Sequence, residues 1–212
     1  MEGAFSTCGS LRQINFKGFD TSLVKSFYNT FSKTRISKFD FSTINTSSAT
    51  NMSYMFSSST IEQIDSDGID TSNVMDMSHI FQYCSSVLRI DLSKFDTSKV
   101  KDMSHMFRFC TSLEVIDLSS FKTNEVTNMA NMFHQCISVT SIEISSFDTS
   151  KVTDMSYMFD NCCSLNEISV DKFDTSKVEN MKNMFNFCAK LTSIKVGNFD
   201  TSRVKNMAYM FS

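Results

Sequence analysis

The chain has 212 residues, a net charge of −3, 21 phenylalanines, five glycines and no proline. The weakly acidic balance argues against generic binding to nucleic acid or to anionic membranes. No apolar run approaches the roughly 18 residues that span a bilayer, and Met1-Glu2-Gly3-Ala4-Phe5 has neither the basic nor the apolar region of a secretory signal.

In chain order the sequence is one unit repeated. An x-Met-Phe-like element ends at Phe5, Phe31, Phe56, Phe81, Phe107, Phe133, Phe159, Phe185 and Phe211, in steps of 26 residues except for two of 25. An F-D-T-S-x-V element recurs from Phe19, in eroded form from Ile44 and Ile69, and then from Phe95, Phe121, Phe147, Phe173 and Phe199. A short apolar element starts at Leu11, Ile36, Ile61, Val87, Leu113, Val139, Leu165 and Leu191, which makes eight units. A fixed period of this length is the signature of a solenoid, in which each coil buries its apolar residues against its neighbours. The repeat gives one elongated array over residues 1–212. It starts and stops within a unit and shows no polar capping unit, so the expectation is a segment of a longer protein.

Within one unit, Leu113, Ile116 and Leu118 are apolar, while Val115, Asp117 and Ser119 alternate with the last two. Period two predicts a strand with one face inward. Strands are expected near 11–16, 36–41, 61–66, 87–92, 113–118, 139–144, 165–170 and 191–196, stacked in one parallel sheet. Val100, Met103 and Phe107 fall at i, i+3 and i+7, which predicts a short helix. Asp96, Thr97 or Ser98 would cap it. The predicted fold is an α/β solenoid, with a parallel sheet on one side and short helices on the other. The interior would hold columns of Leu/Ile/Val, Phe and Met. Each large apolar side chain would contribute about 1.5–3 kcal/mol when fully buried.

Six of the seven cysteines (Cys8, Cys84, Cys110, Cys136, Cys162 and Cys188) share one repeat position, and Cys163 is the exception. Disulfides need Cβ atoms about 3.5–4.5 Å apart, whereas stacked equivalents stand near 4.8 Å with parallel vectors. Tetrahedral zinc needs ligands that converge, and a single file does not converge. A buried column of free thiols is expected, with no metal and no cofactor.

The outward position before the last strand apolar reads Asn15, Asp40, Asp65, Asp91, Asp117, Glu143, Ser169 and Lys195. Carboxylates about 4.8 Å apart repel by something like 1 kcal/mol per neighbour in water. Such a row is either a solvated face propagated by duplication, or a stripe that binds a basic partner or a loose calcium path. Lys38 and Arg89 stand in the preceding outward column, where they partly neutralise it. A second acidic column (Asp20, Asp70, Asp96, Asp148, Asp174, Asp200) is interrupted by Asn45 and Lys122, and turn hydrogen bonds account for it. His79 and His105 share one column, while His134 lies one position beyond the Phe. Two N-x-S/T matches, Asn45-Thr46-Ser47 and Asn51-Met52-Ser53, are what chance supplies in a chain so rich in these residues. No Ser/His/Asp set, phosphate-binding glycine loop or H-E-x-x-H occurs, and an enzyme is not expected.

The L-x-x-I-x-L pattern after F-x-x-C-x-S-L resembles leucine-rich repeats. Phe107-Arg108-Phe109-Cys110-Thr111-Ser112-Leu113, with Phe121 and V-x-x-M-x-x-M-F, is similar to BspA-like surface-protein repeats of 25–26 residues, and the likeness runs through the whole chain. Phe121 stands where ordinary leucine-rich repeats place Asn, so Phe stacking is expected in place of an asparagine ladder. The resemblance implies an adhesin-type segment at the cell surface or outside the cell, binding a host or neighbouring-cell protein, or an adjacent subunit. Binding would use the exposed sheet face, centred on Asp40, Asp65, Asp91, Asp117, Glu143 and Arg89. The alternative is a structural spacer or assembly segment that stacks through its uncapped ends.

Overall fold

The computed structural model describes all residues, Met1–Ser212. Parallel bridges link Ser26, Asn51, Asp76, Asp102, Asn128, Asp154, Asn180 and Asn206 in one unbroken ladder, each residue pairing with its equivalent in the next coil. Behind this ladder, phenylalanine rings from Phe5 to Phe211 stack coil upon coil, 5.3–5.9 Å apart and nearly parallel. Val100, Met103, Met106, Phe107, Cys110, Leu113, Ile116 and Leu118 are all buried, and they join their equivalents in one continuous core. The chain is therefore a repeat solenoid.

The expected helices are absent. The only helical element is a 3₁₀ turn at Phe41–Thr43, and the segment read as a helix is a ribbon of successive turns. From Met103 to Cys110, every second N–H closes a turn within the coil: Met106 to Met103 O, Arg108 to His105 O and Cys110 to Phe107 O. The N–H groups between them donate to the next coil: Met103 to Asn128 O, His105 to Ala130 O, Phe107 to Met132 O and Phe109 to His134 O. An α-helix would spend all of these donors inside its own coil.

The ribbon requires a left-handed residue every four positions. His105 (φ 59°) and Phe109 (φ 61°) take this role, as do their equivalents in other coils, such as Asn131 (φ 59°) and Gln135 (φ 62°). A left-handed non-glycine residue costs about 1–2 kcal/mol. Four inter-coil hydrogen bonds, at about 0.5–1.5 kcal/mol each, together with the buried Met and Phe columns, outweigh two such residues per coil. A three-turn helix alone is marginal in any case.

The continuous eight-stranded sheet is also absent. Strands form at β1 (Lys38–Asp40), β2 (Gln63–Asp65), β3 (Val115–Asp117) and β4 (Ser141–Glu143). They pair in parallel as β1–β2 and β3–β4 only. The segments 11–16, 87–92, 165–170 and 191–196 form no strand. Turns trim each apolar element at both ends. Leu113 N–H closes onto Cys110 O, and Phe121 N–H closes onto Leu118 O. Ser119 N–H is taken by the Asp117 carboxylate. About three residues per coil remain to pair, which is the short end of the range for strands.

Two polar ladders add to the coil-to-coil bonding. Buried Thr97 donates its hydroxyl to Lys122 O at 3.0 Å and accepts the Lys122 N–H at 2.8 Å. Thr123 does the same with Asp148, and Thr21 does so with Asn45. One side chain thus satisfies both backbone groups of a residue in the following coil. The second ladder follows the bridge column, where Asp102 and Asn128 each accept the N–H of the residue two further on. Asn128 Nδ2 also reaches Asp102 Oδ2, and Asn180 Nδ2 reaches Asp154 Oδ2, both at 3.3 Å. The stack expected of Phe121 and its equivalents after the strand does not form: Phe121 is buried, but the rings that stack are the Phe107 column's, and an asparagine-type ladder runs on the turn side.

Thr97→Val keeps the shape and removes the hydroxyl, leaving the N–H and C=O of Lys122 without partners. We expect a loss of about 1–3 kcal/mol in chemical denaturation. A change within a few tenths would show that water replaces the bridge.

Candidate binding surfaces

The strand side carries the expected row. Asp40, Asp65, Asp91, Asp117, Glu143 and Arg89 are all exposed, and the five acids stand in successive or near-successive coils. Asp40 pairs with Asp65, and Asp117 with Glu143, in strand register. Each acid also has a local task. One carboxylate oxygen accepts the backbone N–H two residues on: Ser42, Asp67, Ser93, Ser119 and Ser145 respectively. These bonds hold the carboxyl pKa of Asp91, Asp117 and Glu143 below the ordinary value. The Ser93 N–H leads for Asp91, and the Ser119 and Ser145 side chains lead for the other two. The F-D-T-S acids serve the same kind of turn, as in Asp96 with Ser98 N–H and Asp148 with Ser150 N–H.

Where neighbouring coils do not pair, this side is indented. A recess of about 540 Å³ lies between β2 and the next coil, lined by Gln63, Asp65, Arg89, Asp91 and Lys94 among others. A smaller one of about 280 Å³ follows, with Asp91 and Asp117 on its walls. A third, of about 370 Å³, lies beyond β4 and includes Glu143, Glu167 and Lys195. The backbone N–H groups of Leu88–Leu92 and of Asn166–Val170 have no partner within the protein.

The turn side brings a second set of side chains together. Tyr54, His79 and His105 stack face to face, with centroids 4.1 and 4.2 Å apart. Tyr83 and Phe109 form a second stack at 4.7 Å. Between these columns runs a polar file one position after each core Phe: Gln82, Arg108, His134, Asp160 and Asn186. Gln82 Oε1 lies 3.0 Å from His79 Nδ1. Asp160 accepts from Asn186 at 2.7 Å and from Asn161 at 3.1 Å. His134 Nδ1 approaches Asp160 Oδ2 to 2.6 Å, without the alignment of a hydrogen bond. His79 and His105 were expected to be neighbours and are. That His134 belongs with them follows from the turn ribbon, which folds position Phe+1 back beside the histidine column. The one sequence signal was that Gln, Arg, His, Asp and Asn replace Ser at this position in successive units.

The thiol column is buried at Cys84, Cys110, Cys136 and Cys162. Cys8 is exposed, and Cys163 and Cys188 are partly so. None of the seven is in a disulfide. Each column thiol from Cys84 to Cys188 donates to the core Phe carbonyl of the preceding coil, such as Cys110 to Phe81 O at 3.1 Å. Burial pushes Cys84 and Cys136 up to about 12.

A turn-and-strand solenoid built on a 25–26-residue period is thus the class of the protein. The family model described as "Mycoplasma protein of unknown function, DUF285" matches residues 1–89, 59–142 and 137–212, and the chain belongs to that family. No curated protein matches it. A crystal structure of a leucine-rich repeat protein from Eubacterium ventriosum aligns with 87% of this chain and 50% of its own, at 16% identity and a TM-score of 0.49. This chain therefore spans about half the length of that protein. No helix is long and apolar enough to cross a membrane.

Two measurements check this description. At pH 8, a thiol reagent should label Cys8 rapidly and leave Cys84, Cys110, Cys136 and Cys162 untouched until denaturant is added. Rapid labelling of all seven would contradict the buried column. The second concerns the stacked histidines. Burial lowers the pKa of His79 and brings His105 down to about 4, below the ordinary 6.5. The folded chain then binds fewer protons than the unfolded chain between those values, so stability present above pH 6.5 declines as pH falls toward 4. The denaturation midpoint should drop from pH 7 to pH 5. It should drop less in His79→Asn/His105→Asn, whose new side chains suit the left-handed backbone. Equal drops would remove the histidines as the cause.

Proposed function

We propose that the chain is a non-enzymatic protein-binding module of the BspA-like surface-repeat kind, engaging its partner through the strand side. The observation that carries this reading is the coincidence of the three recesses with the acidic row. Asp65, Asp91, Asp117 and Glu143 line indentations whose walls include unpaired backbone N–H groups and the cations Arg89, Lys94 and Lys195. A basic segment of a protein partner would meet exposed carboxylates at successive coils, while the turn bonds hold those carboxylates in place. Pre-organised charges of this kind direct encounter and register more than they add raw affinity. The adhesin character, the position at the cell surface and a host or neighbouring-cell partner come from the resemblance of the repeat.

The local task of each acid decides how to test it. Asp→Lys would remove both the charge and the turn acceptor. Asp65→Asn/Asp91→Asn/Asp117→Asn removes the charge and keeps an oxygen for the turn. Attachment of cells to surfaces coated with the chain should fall at least tenfold with the triple variant, at an unchanged denaturation midpoint. Undiminished attachment would overturn the acidic row as the binding surface. Labelling of intact producing cells with an impermeant reagent should reach this segment; protection until lysis would overturn the surface position.

A further inference from the structure

Arg108 is a cation without a counter-ion. It makes no salt bridge, and its Nε is buried without a hydrogen-bond partner. The guanidinium lies over the Phe109 ring at 4.7 Å and near the Tyr83 ring at 5.9 Å. Its own turn places His105 three residues before it, joined by the Arg108 N–H to His105 O bond. His134 follows Arg108 in the same file, one coil on, with its ring edge against Phe109 at 5.3 Å. Nδ1 of His105 is buried and unpartnered as well. The acid of this file, Asp160, stands two coils from Arg108 and is already engaged by Asn186, Asn161 and His134.

These features describe a recognition site and not a structural ion pair. A guanidinium packed against two aromatic rings has its stem held in place, and no acidic side chain of the protein pairs with its charge. Such a fork is shaped for a planar, two-oxygen anion. Two aromatic walls, one of them with Tyr83 exposed, suit the apolar surroundings of a side chain on a folded or extended partner.

We propose that Arg108, flanked by His105 and His134, receives a carboxylate carried by a protein partner on the turn side of the solenoid. This is a second surface, independent of the acidic row and opposite to it in charge.

The test uses the full chain and three probes: acetyl-tetraglutamate amide, its tetraglutamine counterpart and inorganic phosphate. The glutamate peptide should shift the imidazole NMR signals of His105 and His134 saturably at low salt, and the glutamine peptide should not. Arg108→Met retains the stem over the Phe109 ring; it should weaken the interaction at least tenfold and leave the denaturation midpoint within a degree or two. On the unaltered chain, the glutamate peptide should slow phenylglyoxal modification of Arg108, a readout that needs no variant. Undiminished binding by Arg108→Met, or no protection of Arg108, would overturn the proposal. So would binding of phosphate without binding of the glutamate peptide, which would mark a small-anion site only.

Discussion

The structure depends on where the turn ribbon sends its backbone N–H groups. Half of them close turns inside a coil, and half leave it for the next one. Of 100 backbone hydrogen bonds, 94 lie outside regular helices and strands, so ordinary secondary structure does not hold this fold. A single coil has no way to satisfy itself, because four of its ribbon donors point at acceptors that belong to its neighbour. Backbone groups buried without partners are costly, and that cost is what makes the period so strict. A residue inserted within the ribbon would move the left-handed positions and the Phe ring beyond it out of register, whereas the 25-residue steps at Phe31–Phe56 and Phe56–Phe81 leave both the bridge ladder and the Phe stack unbroken.

The polar residues follow from the same constraint. Proline is absent and glycine scarce, so turns are made by Asp, Asn, Ser and Thr side chains standing in for backbone partners. Thr97 and its equivalents bridge coils from inside the core, while Asp96, Asp117 and Asp102 each brace a turn at a different corner. The acidic columns therefore have a structural origin whether or not they also bind. Function, where it is present, has been added to positions the fold already needed. This is why the strand-side acids are ordered, and why removing their charge is separable from removing their turns. The file containing Arg108 and His134 is different. Serine fills that position at Ser32 and Ser57, and nothing in the coil geometry asks for a guanidinium there.

The period, the inward columns, the free thiols and the turn role of the F-D-T-S acids were legible in the sequence, because each depends only on which residues share a repeat position. The path of the backbone between those positions was less so. Val100, Met103 and Phe107 have the spacing of a helix face, yet a chain of four-residue turns also returns the same side at those intervals. The distinguishing sign was faint: Asn29, Asn131 and Asn183 occupy the left-handed column, but Tyr54, His79 and His105 occupy it too, and aromatic side chains do not advertise positive φ. The strands were overdrawn because Leu113-Glu114-Val115-Ile116-Asp117-Leu118 alternates correctly while its ends are claimed by turns. The Asp102–Asn128 ladder was visible only as an Asp/Asn alternation before Met, and the charged file only as a failure of the repeat to repeat.

The one-way traffic of ribbon hydrogen bonds has an electrostatic meaning. In each coil, Met103, His105, Phe107 and Phe109 or their equivalents aim N–H groups toward later coils, while on the flanks Lys101 and Glu114 aim back. Peptide dipoles of about 3.5 D thus add along the ribbon with the positive pole toward later coils, the reverse of an α-helix, whose positive pole is its beginning. At the ribbon, whatever packs against the later side of a coil meets hydrogen-bond donors, and whatever packs against the earlier side meets carbonyls. The array has a front and a back even where its side chains are the same on both.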